Sequence, residues 1–294
     1  MDDLSPVTQW YSSNAEQERS RLERNAYHSL EFLVTMHHLR KLLPPSGMIL
    51  DAGGGTGPYA IELCRMGYRV VLLDPVRELL DIAAECFAKE PAEVRARLLE
   101  SVVGDVRDLS RFPDCRFDAV VSLGGPITHL PAESDRKKAV SEMARVTIAG
   151  GVVFISAMGY LDVLRTVMTK FSDELLNERR TEIFLRSGNT TSRGMEWHFF
   201  RAAELRELAE SCGLSTLEMA GLEGLSSGLP DATNLLRQDK AKWDVWLKIV
   251  LHTASEPAVV DMSGHILYVG RSTGDQSSVS SDQWEEPPRR QGRQ

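Results

Sequence analysis

The sequence predicts an α/β protein with a doubly wound, mostly parallel sheet and helical insertions. Short apolar segments of strand length alternate with longer segments of helical periodicity. Strands that are separated by helices need crossover connections, which make the strands parallel and cover both faces of the sheet. A glycine-rich turn, GGGTG at 53–57, follows the first apolar segment, where open parallel sheets bind ligands.

The predicted strands and helices follow one another in a regular order. The strand predictions cover 48–52, 69–74, 98–105, 117–123, 150–158, 214–219 and 265–271. The helix predictions between them cover 58–66, 76–89, 133–147 and 201–212. Pro58 suits a first helical position, because the N–H that proline lacks would be unpaired there. We therefore predict one α/β domain over 47–271.

The N-terminal part of the chain has a helical pattern of its own. Apolar residues recur at about helical spacing over 10–43, and Pro44 and Pro45 end that segment. Gly47 then turns the chain toward the first strand. This pattern predicts an N-terminal helical cap over 1–46.

Three further segments interrupt or follow the alternation. Charged residues with scattered apolar ones predict a helical insertion at about 160–198, and a second insertion is predicted at 221–262. The second contains a plausible amphipathic helix over 233–251. The residues 272–294 are mostly Ser, Gln, Pro, Glu and Arg, a composition that cannot bury a core and predicts a disordered tail.

The composition limits the classes of partner. The chain has 294 residues and a formal net charge of −8, whereas nucleic-acid-binding proteins usually carry a basic stripe, so we expect no nucleic-acid partner. No apolar run approaches the ~20 residues of a membrane span, and the acidic N-terminus does not resemble a signal peptide. The four cysteines are widely spaced without a CxxC pair, as is typical of reduced thiols. The sequence predicts a cytoplasmic protein that does not associate with a membrane.

The glycine turn has two interpretations. Glycines let the backbone turn sharply and approach a ligand closely, but they also make tight connections that bind nothing. Two acids that end neighbouring strands, Asp51 and Asp74, favour a ligand site. A carboxylate at the end of the second strand, as at Asp74, can accept hydrogen bonds from both hydroxyls of a ribose.

Asp51 distinguishes between two ligand classes. A dinucleotide site has the pattern GxGxxG and places a pyrophosphate at the helix N-terminus. Here Pro58 stands where the last glycine should fall, and the charge of Asp51 would repel the phosphates. S-adenosylmethionine carries an ammonium and a sulfonium and no phosphate. The pattern therefore favours this methyl donor and disfavours a nicotinamide oxidoreductase.

Four motifs, in order along the chain, resemble those of class I S-adenosylmethionine-dependent methyltransferases. They are LDAGGGTG (50–57), VVLLDP (70–75), VVGDVRDL (102–109) and FDAVVSLGGPITHL (117–130). The resemblance spans about residues 20 to 271. It implies a seven-stranded Rossmann-like sheet of strand order 3-2-1-4-5-7-6, with the last strand antiparallel.

The resemblance also implies a set of donor-binding residues. The residues that it places at the donor are Asp51, Gly53, Gly55, Gly57, Asp74, Pro75, Asp105, Val106 and Leu123. The family places Asp74 on the ribose and places Asp105 and Val106 against the adenine. The chain is more specifically similar to a set of small bacterial- and archaeal-type methyltransferases, a likeness that names no substrate.

Candidates for the chemistry and for the methyl acceptor are few. His129 follows the fourth strand, where the acceptor atom would approach the methyl group, and a histidine can act as a general base near neutral pH. His198 ends the first insertion, which we expect to cover the substrate. Tyr11, Tyr27 and His28 lie on the N-terminal cap, which closes over the donor in many relatives. For each of these residues, packing within the fold is the competing interpretation.

The predicted activity is transfer of a methyl group to O, N or S of a small molecule. The fourth strand ends in SLGGP and lacks the [DNS]-P-P-aromatic pattern of enzymes that methylate the amino group of adenine or glutamine. No set of carboxylates has the pattern of a Mg²⁺ site, so we predict no metal. The alternative is a protein that binds S-adenosylmethionine without methyl transfer. The sequence is compatible with a monomer or a homodimer.

Overall fold

The computed structural model describes residues 5–192 and 194–274, and within these ranges nine β-strands form. They are β1 (Met48–Ala52), β2 (Arg69–Asp74), β3 (Leu98–Val103), β4 (Phe117–Ser122), β5 (Thr147–Met158), β6 (Asn189–Ser192), β7 (Met195–His198), β8 (Leu214–Gly221) and β9 (His265–Ser272). The predicted strands are thereby confirmed, with boundaries that differ by up to three residues. Strands β6 and β7 are additional.

The α-helices of the described residues lie before, between and after the strands. They are α1 (Ser5–Ser13), α2 (Ala15–Arg19), α3 (Ala26–Leu42), α4 (Pro58–Arg65), α5 (Arg77–Ala88), α6 (Ala92–Arg95), α7 (Glu133–Val146), α8 (Tyr160–Lys170), α9 (Glu178–Ser187), α10 (Ala202–Ser211), α11 (Pro230–Leu236), α12 (Lys240–Thr253) and α13 (Pro257–Met262).

The main sheet has seven strands in the order β3-β2-β1-β4-β5-β9-β8. Pairs from β3 to β5 are parallel, and β9 is antiparallel to both of its neighbours. Counted along the main sheet alone, this is the predicted order 3-2-1-4-5-7-6, so the predicted fold class is confirmed. The reversal of order between β1 and β4 creates a crevice at the carboxyl ends of these strands, where ligands bind in such sheets.

Both faces of the sheet are buried. The central strands β1, β2 and β4 are buried along almost their whole length, as expected for parallel strands that helices cover on both sides. Helices α3, α4, α5 and α12 pack on one face around Ile49 and Val70. Helices α7, α10 and α13 pack on the other face around Leu50 and Val71.

The N-terminal cap differs from the single helical segment predicted over 10–43. It breaks into α1, α2, a 3₁₀ turn at Arg21–Glu23 and α3. Asn25 begins α3, because its side chain accepts a hydrogen bond from the His28 amide and so caps the helix. The spacing of apolar residues indicates which residues are buried but does not mark helix ends, so it did not predict these breaks.

The two insertions also differ from their predictions in detail. The first contains α8 and α9 as expected, but also the hairpin β6–β7, whose strands are only four residues long. The helix predicted over 233–251 is two helices, because Asp239 accepts hydrogen bonds from the amides of Ala241 and Lys242 and starts α12 anew.

The C-terminal boundary moves slightly. Ser272, predicted as the start of the tail, is the last residue of β9, and the predicted disorder of 275–294 concerns residues outside the described ranges. The division into cap, domain and tail remains a prediction. No helix within the described ranges combines the length and the apolar character that crossing a lipid bilayer requires.

Candidate functional site

A cavity of about 630 Å³ opens at the carboxyl ends of β1, β2 and β4. This size is within the range of pockets that bind small molecules and cofactors. The N-terminal cap forms one wall, through residues of α1, α2, the 3₁₀ turn and α3. The site predicted from the glycine turn therefore coincides with the crevice that the sheet topology creates.

The glycine loop between β1 and α4 needs glycine for two different reasons. Gly53, Gly55 and Gly57 have φ of +82°, +55° and +76°, a region that other residues rarely adopt. Gly54 has an ordinary φ, but a Cβ there would lie 2.5 Å from the side chains of Asp51 and Leu72. The spacing of glycines in the sequence identified the first three residues and did not single out Gly54.

Asp74, the last residue of β2, lines the cavity and holds the loop at the same time. Its Oδ2 accepts a hydrogen bond of 2.9 Å from the Gly55 amide, and its Oδ1 accepts one of 2.9 Å from the Val76 amide. Each carboxylate oxygen has a second lone pair, so both remain able to accept a hydrogen bond from a ligand. Burial raises the pKa of Asp74 to about 6. Pro75 also lines the cavity.

Asp51 does not face the ligand space, although the sequence analysis expected its charge to act directly on a ligand. Its side chain is fully buried directly beneath Gly54 and does not line the cavity. Neither carboxylate oxygen makes a hydrogen bond within the described residues. Burial, together with the neighbouring charge of Asp74, raises the pKa of Asp51 to about 7, which the nearby Ala60 amide opposes. The side chain points into the helical layer because it alternates with Leu50, which points to the other face.

Asp105 and Val106 follow β3 and line the cavity beside the loop. Both carboxylate oxygens of Asp105 accept hydrogen bonds from the Arg107 guanidinium, at 2.6 to 3.1 Å. Arg107 is buried and also pairs with Asp135 of α7. The segment after β3 is therefore anchored to α7 by an ion-pair chain that the sequence did not reveal.

The segment after β4 forms another part of the cavity wall and meets the cap there. Leu123 and Gly124 line the cavity, and the Gly124 amide donates to the Ser156 hydroxyl at 2.8 Å. A Cβ at Gly124 would lie 3.2 Å from the Arg21 guanidinium. The cap thus reaches the end of β4 through Arg21, a residue that the sequence analysis did not single out.

His129 lies on a 3₁₀ turn at Pro126–His129 and lines the cavity, as does Tyr11 of α1. The Tyr11 hydroxyl is 3.1 Å from Nε2 of His129. Burial lowers the pKa of His129 to about 4 and raises the pKa of Tyr11 above its usual value, so both side chains are neutral at pH 7. A ring of such low pKa is a weak proton acceptor, which argues against the general-base role expected for His129.

His198 does not line the cavity, which corrects its prediction as a catalytic residue. It is buried in the hairpin, with Nδ1 2.6 Å from Asn189 Oδ1 and Nε2 2.6 Å from Glu204 Oε1. Its ring packs edge-on against Phe200. Nδ1 thus links the two strands of the hairpin and Nε2 links the hairpin to α10, so the contacts of this residue favour the competing structural interpretation.

We expect His198→Ala to lower the free energy of unfolding by about 2 kcal/mol, because it removes two buried hydrogen bonds and packing against Phe200. Denaturant titration followed by circular dichroism measures this change. His252→Ala, at an exposed position of α12, is the control and should leave stability unchanged. Equal stability of the two variants would contradict the attachment role.

Tyr27 and His28 also lie outside the cavity lining, although both were expected near the substrate. The Tyr27 amide donates to Asn234 of α11, and Nδ1 of His28 lies 2.9 Å from the Asn25 side chain. Tyr27 thus contacts the second insertion through its amide and His28 stays with the cap of its own helix, which differs from the position near the substrate that was expected.

Sequence reasoning missed a network of ion pairs beside the cavity that links four charged residues, Arg21, Glu31, His265 and Glu223. Arg21 donates to both carboxylate oxygens of Glu31, at 2.5 and 3.1 Å. His265 Nδ1 lies 2.6 Å from Glu223 and 3.8 Å from Glu31, and the two acids raise the pKa of His265 to about 9 against the effect of burial. Arg21 also donates to Glu18 at 2.7 Å, so three acids surround the two bases. Although Glu31, Glu223 and His265 are close enough to hold a metal ion, their oxygens are already paired, so we propose no metal here.

Comparisons with known proteins identify similar sequences among methyltransferases. A family model described as a methyltransferase domain matches residues 50–155. A protein of Encephalitozoon cuniculi (strain GB-M1) named as a methyltransferase is 30% identical over 160 residues, which cover 54% of this chain and 67% of that protein. The glycine/sarcosine N-methyltransferase of Aphanothece halophytica is 35% identical over 112 residues, or 38% of this chain. The matched region spans only 40% of that enzyme's length.

A solved structure shows the same fold. The 1,6-didemethyltoxoflavin-N1-methyltransferase of Burkholderia thailandensis, solved with 1,6-didemethyltoxoflavin and S-adenosylhomocysteine, aligns with a TM-score of 0.53. The alignment covers 92% of this chain and 88% of that chain at 14% sequence identity. At this identity the likeness concerns the fold alone.

Proposed function

We propose that this chain, which belongs to the class I S-adenosylmethionine-dependent methyltransferases, transfers the donor's methyl group to N, O or S of a small molecule. One observation carries the proposal. The glycine loop, Asp74 and Asp105 line a single cavity with the cap and the segment after β4. This arrangement supports the proposal, because the residues expected to bind the donor border a space of the size of a small substrate.

The residues of the cavity fit the donor. The loop lacks side chains where the amino-acid part of the donor would pass, and Asp74 keeps one lone pair on each oxygen for the ribose hydroxyls. Asp105 and Val106 would lie against the adenine. Asp51 would act on the donor's positive charges through the loop rather than by contact, because it lies beneath Gly54 in a medium of low dielectric constant.

Methyl transfer from a sulfonium disperses charge as it proceeds, so it needs alignment and exclusion of water more than a charged clamp. The cap contributes both, because Tyr11 and Arg21 close the cavity over the loop. His129 is a weak base because its pKa is low, and Tyr11 keeps its proton, so neither supports removal of a proton from the nucleophile and we favour a nucleophile whose lone pair is already free.

A nitrogen nucleophile is the best supported of the three. Relatives named as N-methyltransferases of glycine and sarcosine match this chain at 35% identity, and an amine in its free-base form needs no general base for the transfer step. We therefore favour a small primary or secondary amine as the acceptor.

Two measurements test the proposal. Calorimetry should show binding of S-adenosylmethionine and none of NADH. The second is incubation with a methyl-labelled donor and candidate acceptors. We test glycine, sarcosine, methylamine and dimethylamine first and a metabolite extract next, and expect a labelled product together with S-adenosylhomocysteine. Donor binding without any labelled product would favour the non-catalytic alternative, and tight NADH binding without donor binding would overturn the assignment.

We expect the affinity for S-adenosylmethionine to rise at least tenfold between about pH 5 and 8. The raised pKa values of Asp51 and Asp74, about 7 and 6, mean that these carboxyls hold protons in the free protein that a cationic donor must displace. By the same linkage they stabilise the free fold below about pH 4, and this contribution is lost as the pH rises through 6 and 7.

Titrations at several pH values, in two buffers of different ionisation enthalpy, measure both the affinity and the protons released. Asp51→Asn is the matched variant, since it keeps the size of the side chain and removes one titrating group. In this variant the affinity for S-adenosylmethionine should change less between about pH 6 and 8 than in the unchanged protein. An affinity that does not change with pH would show that neither carboxyl is linked to donor binding.

A further inference from the structure

A chain of ion pairs leads from the cavity wall to the second insertion. Arg21 donates to both carboxylate oxygens of Glu31 of α3, at 2.5 and 3.1 Å. Oε2 of Glu31 lies 3.8 Å from Nδ1 of His265, the first residue of β9. The same Nδ1 lies 2.6 Å from Oε1 of Glu223, whose Oε2 accepts a hydrogen bond of 2.7 Å from the His265 amide. Of these four residues, Arg21 is the one that lines the cavity.

His265 supplies the second positive charge beside Glu31. Glu31 and Glu223 are only 2% and 3% exposed, and a buried carboxylate without a counter-charge is strongly unfavourable. Burial opposes the charged form of His265, but the two acids outweigh burial and raise its pKa to about 9. The ring therefore carries a positive charge near pH 7 and pairs with both carboxylates.

Arg21 connects this chain of ion pairs to the cavity at two points. Its Nε donates to Glu18 of α2 at 2.7 Å, and its Nη2 would lie 3.2 Å from a Cβ at Gly124, after β4. Glu18, Arg21 and Gly124 all line the cavity. Both members of the pair with Glu18 are partly exposed, at 22% each, and such pairs are weak. The pair with buried Glu31 therefore fixes the guanidinium, and with it the distance between the cap and the segment after β4.

We propose that His265 is a positioning residue of the cavity: its ring holds Glu31, and Glu31 holds Arg21 in the place where the cap closes over the bound donor. The inference rests on the proposed function, because it takes S-adenosylmethionine as the ligand beneath the cap. His265 does not line the cavity, so it acts on the ligand through other residues. The competing interpretation is that His265 merely attaches α3 to the sheet.

His38 offers a matched control, because it makes the same kind of contact outside the cavity. Nδ1 of His38, also on α3, lies 3.6 Å from Glu218 of β8, and neither residue lines the cavity. Glutamine at either histidine removes the ionisable ring and keeps an N–H donor. We expect His265→Gln to raise the Kd for S-adenosylhomocysteine about tenfold, and His38→Gln to leave it within about twofold. Equal effects of the two variants would indicate mere attachment of α3 and would overturn the proposal.

A double-mutant cycle, measured by isothermal titration calorimetry, shows whether His265 acts through Arg21. Arg21→Gln should itself weaken the binding of S-adenosylhomocysteine, since it removes the guanidinium that joins the cap to the cavity wall. If His265 only positions Arg21, adding His265→Gln to Arg21→Gln should change the Kd by less than about twofold. A larger further loss in the double variant would show that His265 acts by another route and would overturn the proposal.

Several charged or titratable groups face His265 and its two acids. From the elements packed around the ring, they are Arg21 of the 3₁₀ turn, Tyr27, His28 and Glu31 of α3, Asp162 and Arg165 of α8, and Glu223 after β8. Burial lowers the pKa of His28 and raises the pKa of the Tyr27 phenol, so neither changes its charge between pH 8 and 10. Carboxylates and guanidinium groups keep their charges over this range. His265 is therefore the member of this set that titrates there.

The unchanged protein tests the same idea without a substitution. The charge of His265 is present below about pH 9 and lost above it, so Arg21 should lose its position as the pH rises. 5′-Methylthioadenosine has no group that titrates in this range and serves as the probe. Its Kd should rise about fivefold between pH 8 and 10, and in His265→Gln it should be high at both. A Kd that stays constant in the unchanged protein, or that rises equally in both proteins, would overturn the proposal.

Hydrogen exchange separates failure of this inference from failure of the proposed function. In the free protein, the amides of residues 15–24, which include α2 and the 3₁₀ turn, should exchange faster in His265→Gln than in His38→Gln. Equal exchange would overturn the inference whatever the ligand. If the unchanged protein bound neither nucleoside, the proposed function would fail, and the exchange comparison would still decide whether His265 fixes the cap. If His265→Gln did not fold, the pH dependence of the unchanged protein would decide the inference.

Discussion

Asp74→Ala should weaken the binding of S-adenosylmethionine at least tenfold. The variant removes a carboxylate that is positioned by the amides of Gly55 and Val76 and whose remaining lone pairs face the cavity. Charge-assisted hydrogen bonds to two ribose hydroxyls would account for a loss of roughly 10- to 100-fold. The two amides also lose their acceptor, so the glycine loop becomes less ordered. Isothermal titration calorimetry measures the change.

Two further variants show whether the loss of affinity comes from the charge of Asp74. Asp74→Asn keeps an acceptor oxygen but removes the charge, and we expect an intermediate loss. Asp81→Ala removes an exposed carboxylate on α5, outside the cavity, and should leave donor affinity unchanged. Circular dichroism spectra must show that all three are folded. An Asp74→Ala protein that is folded and binds the donor normally would mean that the second-strand acid does not contact the ribose.

Gly54→Ala should lower the free energy of unfolding by about 3 kcal/mol, because overpacking a rigid site is destabilising. Its new Cβ would lie 2.5 Å from Asp51 and Leu72, both of which are fully buried and cannot move aside. The only ways to relieve the overlap are to lift the loop or to displace Asp51, and either change also disturbs the donor site. Denaturant titration gives the stability, and calorimetry gives the accompanying loss of donor affinity.

Gly150→Ala is the comparison for this variant. Gly150 has φ +77° and open space around the position of a Cβ, so alanine there should lose only the roughly 1 kcal/mol cost of the left-handed conformation. Donor affinity should not change. A stability loss in Gly54→Ala no larger than that of Gly150→Ala would contradict the steric argument.

The sequence predicted the sheet well because its signals are local and repeated. Burial on both faces makes β1, β2 and β4 continuous apolar runs, and the acids and glycines that follow them mark the carboxyl ends of the strands. The hairpin β6–β7 escaped prediction because four-residue strands carry almost no period, and Asn189 to Ser192 are polar or partly exposed.

Sequence reasoning named the cavity residues around the glycine loop more completely than those near His129 and the cap. Residues of the glycine loop and Asp74 come from one continuous segment, where order along the chain matches order in space. Arg21 and Trp197 reach the site from the cap and from an insertion, so only tertiary packing brings them to Gly124 and His129. His198, one residue from Trp197, points to the opposite face of its strand, and a strand boundary error of one residue exchanges the two.

The charge network between Arg21, Glu31, Glu223 and His265 has a consequence for how the protein is made. Glu31 is translated well before His265, yet they lie 3.8 Å apart. On the ribosome, Glu31 cannot contact both of its positively charged partners, Arg21 and His265, until strand β9 has been synthesised. In a nascent chain this wall of the cavity therefore stays incomplete until β9 has been synthesised, and we expect the cap to become resistant to protease only after that point.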